Sequence, residues 1–304
     1  MLTDLGGAPA LDEAQVIERR NASARLARQV VPGGAVVVNV DEPQAELVGA
    51  VNLDARRVTF GLGHGVATGA DVSAVVDRLD HEGSRIRLLG FDREATVDLR
   101  VPGLPAVRHA LAAAAVAWSR GVDVRAVVEG LETVAELPGR LDRVDEGQPF
   151  EVMVDAACHG AELQEALVSV RSITRTPGRV HCVVGAEGNR PAGRDERLGL
   201  ARAAEALADR VTFTNDNPRT EPADQILDDL LAGVRRPGRV RVEPARARAI
   251  EAALADARPG DAVLIAGKGR QTFQIFADRA EPFDDAEVAR RWLRTHRPGT
   301  RRSA

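Results

Sequence analysis

Short apolar runs alternate with long amphipathic segments through the second half of the chain, and few folds accommodate that rhythm. Phe150–Asp155, Val180–Val184, Val211–Phe213, Val240–Val242 and Ala262–Ala266 read as strands. The longer ones are apolar at nearly every position, as strands covered on both faces are. Ala161–Ile173, Arg194–Asp209, Ala223–Val234 and Ala245–Ala257 read as the helices between them. Leu141–Val144 is a short strand before the turn Glu146-Gly147-Gln148, and a hairpin over Thr272–Phe283 and a helix over Asp284–His296 close the pattern. Strand and helix in turn imply a Rossmann-like, mostly parallel sheet with helices on both faces.

In such a sheet, ligands sit at the carboxyl ends of the strands. Three of these ends carry ligand-type residues. The first is Asp155, which fits a ribose hydroxyl acceptor and equally a helix N-terminal carboxylate. The second is the loop in VTFTNDNPRTE, 211–221, where Pro218 removes a backbone donor and turns Asn217 away from helix. Asp216, Asn217 and Arg219 offer a carboxylate, an amide and a guanidinium there, a set that suits a small amino acid; the same residues are also good turn formers. The third is Gly267-Lys268-Gly269 with Gln271. Positive charge is otherwise all arginine, so Lys268, the only lysine, stands out.

The first half reads differently. A helix over Asp12–Gln29 stops at Pro32-Gly33-Gly34, and Ala35–Val40 and Val58–Leu62 are strands. The glycine-spaced GLGHG, 61–65, is a loop, because no helical pattern follows it. Asp71–Leu79, Arg85–Phe91 and Ala95–Val101 alternate as antiparallel strands, with a hairpin turn at His81-Glu82-Gly83-Ser84. Leu104–Arg120 and Val124–Val134 are helices. Leu137-Pro138-Gly139-Arg140 reads as a boundary between two domains, 1–136 and 137–304.

Composition excludes several classes. Aromatic content is 3% with no Tyr, and net charge is −4, so neither base-stacking platforms nor a basic face points to nucleic acid. No apolar run approaches a membrane span, and two cysteines, Cys158 and Cys182, form no zinc or disulfide spacing. A cytoplasmic setting fits. Cys158 beside His159 lacks a third orienting group, so a catalytic dyad is not expected. No G-x-x-x-x-G-K-[ST] phosphate loop occurs.

LPGRLDRVDEGQPFEVMVDAA at 137–157, TNDNPRTE at 214–221, AGKGRQTFQ at 266–274 and PFDDAEVAR at 282–290 resemble the Mur ligase family in order and spacing. The likeness is to the enzymes that add a diamino acid to UDP-N-acetylmuramoyl-dipeptide, and VPGGAVVVNVDEP at 31–43 resembles the family's central domain. The resemblance implies ATP-driven phosphorylation of a carboxylate and attack by an amine, with ATP and magnesium as cofactors. It implies that Asn217 and Arg219 grip the incoming amino acid, that the turn Gly267–Gly269 holds its far end, and that Arg140 and Asp155 face phosphate and ribose.

Several positions depart from that family. The likeness starts at Leu2–Gly6, well inside the family's central domain, so its uridine-nucleotide domain and phosphate loop have no counterpart. Pro9, Ser23 and His109 stand where the family has a His near the metal, a modified Lys and an adenine-contacting Asn. The family's DYAH becomes Asp155-Ala156-Ala157-Cys158, and its diamino-acid Glu becomes Gln271. No catalytic residue and no metal ligand is therefore assigned. The expectation is a peptidoglycan-related accessory or degenerate homologue without ligase activity of its own, partnered by a complete Mur ligase or a separate ATP-binding half. The alternative is an active ligase, or a subunit of one, whose ATP-binding part is missing or supplied separately.

Overall fold

A computed structural model describes residues 13–42, 52, 54–62, 69–80, 82–137, 139–190 and 193–296. Two compact units divide the chain, Met1–Ala135 and Glu136–Ala304.

In the first unit, α1 (Glu13–Arg28) precedes a five-stranded sheet of β1 (Ala35–Asn39), β2 (Arg56–Gly61), β3 (Val72–Asp80), β4 (Gly83–Leu89) and β5 (Ala95–Leu99), in that spatial order. β1, β2 and β3 run parallel; β3, β4 and β5 run antiparallel. α2 (Leu104–Ser119) lays Val107, Leu111 and Ala114 against Phe60, Ile86, Leu88 and Val97. α3 (Val124–Thr133) starts at Asp123, whose carboxylate accepts from the Arg125 amide at 2.8 Å, an N-cap that orphan donors favour. The β3–β4 turn is tighter than the sequence implies. Pairing reaches Asp80 opposite Gly83, so Gly83 and Ser84 belong to β4. Gly83 has φ +139, and a Cβ there would lie 2.0 Å from the Leu99 carbonyl oxygen, so only glycine lets β5 come that close. The GLGHG loop from Gly63 onward, His81 and Pro9 lie outside the described residues.

The second unit holds β6 (Asp142–Arg143), β7 (Glu151–Asp155), α4 (Gly160–Ile173), β8 (Val180–Val184), α5 (Gly193–Leu207), β9 (Arg210–Phe213), α6 (Ala223–Gly233), β10 (Val240–Val242), α7 (Arg246–Asp256), β11 (Ala262–Ala266), the hairpin β12 (Phe273–Ile275) and β13 (Ala280–Pro282), and α8 (Asp285–Thr295). The main sheet runs β10-β9-β8-β11-β7-β6, parallel throughout except β6. β6 is shorter than expected because Leu141 takes φ 48 and leaves the strand.

Strand alternation explains the two layers. Met153, Cys182, Leu264 and Phe213 point to Leu163, Leu167, Leu200 and Ile226 on α4, α5 and α6. Val152, Val154, Val183, Val263 and Ile265 point the other way, to Ile250, Leu254, Val288 and Leu293 on α7 and α8. Both faces are dry, which is why the strands read as continuous apolar runs. Among the described residues no helix is long and apolar enough to cross a membrane.

One polar staple sits at the foot of this sheet. Asp261 is buried and accepts from the amides of Arg179 at 2.8 Å and Arg258 at 2.9 Å, with His181 Nε2 at 3.2 Å. Burial opposes its charge, but those two amides and His181 outweigh it and hold the carboxyl below its usual range. A depressed folded value means stabilisation that is present above about pH 4 and lost as pH falls through that value. Asp261→Asn keeps an acceptor but faces the amides with a second donor. It is expected to cost about 1.5–3 kcal/mol at neutral pH and to flatten the acid limb of stability. Urea melts from neutral pH down to about pH 3 measure both effects.

Candidate functional site

Four loops meet at the carboxyl edge of the main sheet, following β7, β8, β9 and β11. Their geometry starts from backbone constraints. Gly185 after β8 has no room for a side chain, since a Cβ would lie 2.5 Å from the Thr214 carbonyl oxygen. The amide of Gly188 donates to the Asn217 carbonyl at 2.9 Å, which ties the β8 loop to the β9 loop. Arg219 takes φ 55, and its amide donates to the Ile275 carbonyl at 3.0 Å, which ties the β9 loop to the hairpin.

Lys268 is the hub. Its Nζ lies 2.7 Å from the Phe273 carbonyl, 2.9 Å from Asn217 Oδ1, 3.3 Å from Gln271 Oε1 and 3.3 Å from Asp216 Oδ1. Lysine brings three protons and no lone pair, so every one of these contacts must be to an oxygen. The side chains of Lys268 and Asp216 are both fully buried. Burial pushes the Asp216 carboxyl up, against Arg246 and Lys268, and pushes the Lys268 ammonium down, against Asp216. Gly267 has φ +114 and lies against Asp216, where a Cβ would meet Oδ2 at 2.8 Å.

The outer layer is built on the same anchors. Asn217 Oδ1 also accepts from the Ile275 amide at 3.0 Å, so its Nδ2 faces outward and donates to Gln271 Oε1 at 2.7 Å and to Glu187 Oε1 at 3.2 Å. Arg219 Nη2 lies 3.4 Å from the same Glu187 oxygen, and Arg190 Nη1 lies 3.5 Å from Glu187 Oε2. Burial works against the charge on Glu187, but the Asn217 amide, Arg219 and Arg190 together hold its carboxyl below the usual range.

The structure thus brings Asp216, Asn217, Arg219, Gly267, Lys268 and Gln271 into one cluster. It separates them into two layers: Asp216 and Lys268 beneath, Arg219 and Gln271 exposed at the rim. Gly269 (φ +53) packs on Ala156, with room for no more than a hydrogen there. Asp155 is buried. Its two oxygens accept from the amides of Leu141 and Ala157, both at 2.8 Å, and Arg140 Nη1 stands 3.9 Å away and is partly exposed. Both amides belong to loops and neither to α4, so these contacts tie Leu141 to the end of β7 and do not cap the helix.

Two residues of the site were not legible as such. Glu187 lies in the β8 loop, the one strand tip that carried no obvious motif. Arg246 is fully buried, with Nε and Nη2 each 2.7 Å from the two oxygens of Asp285, Nη2 2.9 Å from the Ala266 carbonyl and Nη1 3.4 Å from that of Asn215. It braces the ends of β9 and β11 from below. The available signal was its helical spacing with Ala249, Ile250 and Ala253, which puts a guanidinium on an apolar face.

Among the described residues, Cys158, His159 and Glu162 are the one group whose donor atoms gather closely, within 4.8 Å. Their chemistry does not favour a cation. Burial and then Glu162 push the Cys158 thiol up to about 12, so it stays protonated. His159 Nδ1 lies 3.2 Å from Glu196, and its Nε2 lies 2.7 Å from Arg190 Nη2. Glu162 accepts from the Cys158 amide at 3.2 Å.

The geometry defines a class of fold: a doubly wound α/β domain whose strand tips gather a buried Lys–Asp pair beneath a rim of guanidinium, amide and carboxylate. Residues 139–269 match the model for the Mur ligase, glutamate ligase domain. The chain is 36% identical over 264 residues to UDP-N-acetylmuramoyl-L-alanyl-D-glutamate--2,6-diaminopimelate ligase of Solibacter usitatus, covering 86% of this chain and 52% of that protein. It is 39% identical over 282 residues to the protein of the same name from Xylella fastidiosa, covering 90% of this chain and 54% of that one. A solved structure of a ligase of that name superposes with a TM-score of 0.59 at 26% identity, over 92% of this chain and 57% of that chain. The chain belongs to the Mur ligase family, and it spans about half the length of the curated relatives it matches.

Proposed function

We propose that the second unit, residues 136–304, is the amino-acid-holding part of an ATP-dependent acid–amino-acid ligation in peptidoglycan precursor synthesis, and that these 304 residues alone do not complete the reaction. The observation that carries the first half is the Lys268 hub. It joins the Asp216–Arg219 loop to the Gly267–Gln271 loop and so presets the rim before any ligand arrives. Preset donors and acceptors act on a bound amine without reorganisation, which is what positioning catalysis requires. Glu187 would receive an ammonium, and Arg219 a carboxylate. Arg140 would reach toward phosphate, and Asp155 toward a ribose.

The second half rests on the chemistry of acyl-phosphate formation. Neutralising a transferring phosphoryl group needs a phosphate cradle and a metal. No G-x-x-x-x-G-K-[ST] segment occurs in these residues, and Ser23 and His109 stand where the resemblance implies a modified Lys and an adenine-contacting Asn. Losing even one such donor costs about 3–4 kcal/mol in the barrier. ATP, magnesium and the carboxylate substrate that becomes the acyl phosphate would then be held by further polypeptide, either a complete Mur ligase or a separate ATP-binding half.

The test is a coupled ADP-release assay on the purified chain with magnesium, ATP, UDP-N-acetylmuramoyl-L-alanyl-D-glutamate and, in separate runs, 2,6-diaminopimelate and 2-aminopimelate. No ADP above background is expected. Substrate-dependent ADP release by the chain alone would overturn the proposal and favour an active ligase.

A further inference from the structure

The rim has a polarity, and it can be read without reference to any ligand. Lys268 Nζ and the Ile275 amide can only donate, and both point at Asn217 Oδ1, so the Asn217 amide has one possible orientation. Its Nδ2 then donates to Gln271 at 2.7 Å, and Lys268 Nζ meets the same Gln271 atom at 3.3 Å. Two donors on one atom make that atom Oε1. The Gln271 amide is fixed in turn, and its Nε2 is the end left for the rim. Among the described residues Nε2 meets no acceptor, and Gln271 is exposed. Beside it, Arg219 is a second donor. Acceptors are scarce. Asp216 is fully buried under Lys268, and Glu187 is the carboxylate that Asn217 and Arg219 share.

We propose that Gln271 sets the ligand class of this site: its anchored amide offers an N–H donor at the rim, so the site takes an amino acid whose far end presents a carboxylate or carbonyl oxygen and carries no second ammonium. The inference rests on the reading of the rim as an amino-acid site. One ammonium has Glu187 to face. A second would meet the Gln271 N–H group and the Arg219 guanidinium, and a cation set against donors with no acceptor is rejected.

The experiment compares two probes that differ by one amino group, 2-aminopimelate and 2,6-diaminopimelate, by ligand-detected NMR titration against the full chain. The unmodified chain is expected to bind 2-aminopimelate at least about fivefold more tightly, because a site that lacks a hydrogen-bond partner discriminates strongly. Gln271→Glu keeps an oxygen for Asn217 and Lys268 but turns the second oxygen to the rim. It is expected to move the preference toward 2,6-diaminopimelate by about tenfold. Gln271→Met, which removes the donor without adding charge, is expected to lower 2-aminopimelate affinity alone. A preference of the unmodified chain for 2,6-diaminopimelate, or a ratio unmoved by Gln271→Glu in a variant with an unchanged melting profile, overturns the inference and leaves the site reading intact. Binding of neither probe overturns the site reading, and the inference with it.

Discussion

Lys268→Met is expected to lower the stability of the second unit by about 3–5 kcal/mol, because it strands a carboxylate in a dry site. For a unit of this size that is a fall of roughly 10 °C in melting temperature. The cause is the burial of both partners: Asp216 and Lys268 have no exposed side-chain surface, and their oxygen and nitrogen lie 3.3 Å apart. Losing the ammonium also leaves Asn217, Gln271 and the Phe273 carbonyl without their shared donor. The pH dependence follows from the direction of the Asp216 shift. Its folded value is already raised by burial, so the folded state binds that proton more tightly than the unfolded state does. Stability from such a group is greatest at low pH and is lost as pH rises from the ordinary carboxylate value toward the folded one. Removing Lys268 raises that folded value further. The deficit of Lys268→Met should therefore be larger at pH 8 than at pH 5, and Asp216→Asn in the same chain should recover much of it. Calorimetry at the two pH values decides. A loss under about 1 kcal/mol would mean that water reaches the pair.

Arg246→Met is expected to be comparably severe, at about 3–5 kcal/mol. Arg246 and Asp285 make a two-pronged pair, with both contacts at 2.7 Å and both side chains fully buried. The substitution leaves Asp285 without its cation and the Ala266 carbonyl without a donor. Arg246→Lys should restore less than half of the loss, since an ammonium is a point donor and cannot span both oxygens while also reaching Ala266. A double-mutant cycle with Asp285→Asn isolates the pair, and a coupling of about 2–3 kcal/mol is expected. Because Arg246 also meets the Asn215 carbonyl, the variant should loosen the β9 loop before it unfolds the sheet. Hydrogen exchange at the Asp216 and Arg219 amides would then rise more than exchange at Val183 or Leu264, whose strand bonds lie in the core. Equal increases at all four would place the damage in the whole unit.

Both residues sit where local sequence says least. The β7, β8 and β11 runs are apolar on both faces, so their burial and order in the chain were readable from composition along the strand. The strand tips were readable too, because Pro218 and the glycines around Lys268 break the pattern where ligand-type residues stand. What those tips do was not readable. Lys268 stands out as the chain's only lysine, but nothing local shows that its ammonium meets four protein oxygens, from residues between three and fifty-two positions away. Glu187 was missed because nothing within its own loop marks it. Its partners, Asn217 and Arg219, arrive from the next strand. The β3–β4 turn was misplaced by two residues for a similar reason: Gly83 is in the strand because β5 passes beside it, a fact about β5.

The sequence by itself determined the layered α/β architecture, the positions of the loops and the family resemblance, since periodicity and turn chemistry act between neighbours in the chain. Only the tertiary structure decided which polar groups are buried struts and which face the rim. Burial and hydrogen-bond direction depend on what packs from elsewhere, so the same Asp, Asn, Lys and Gln can serve either role until the sheet brings their loops together.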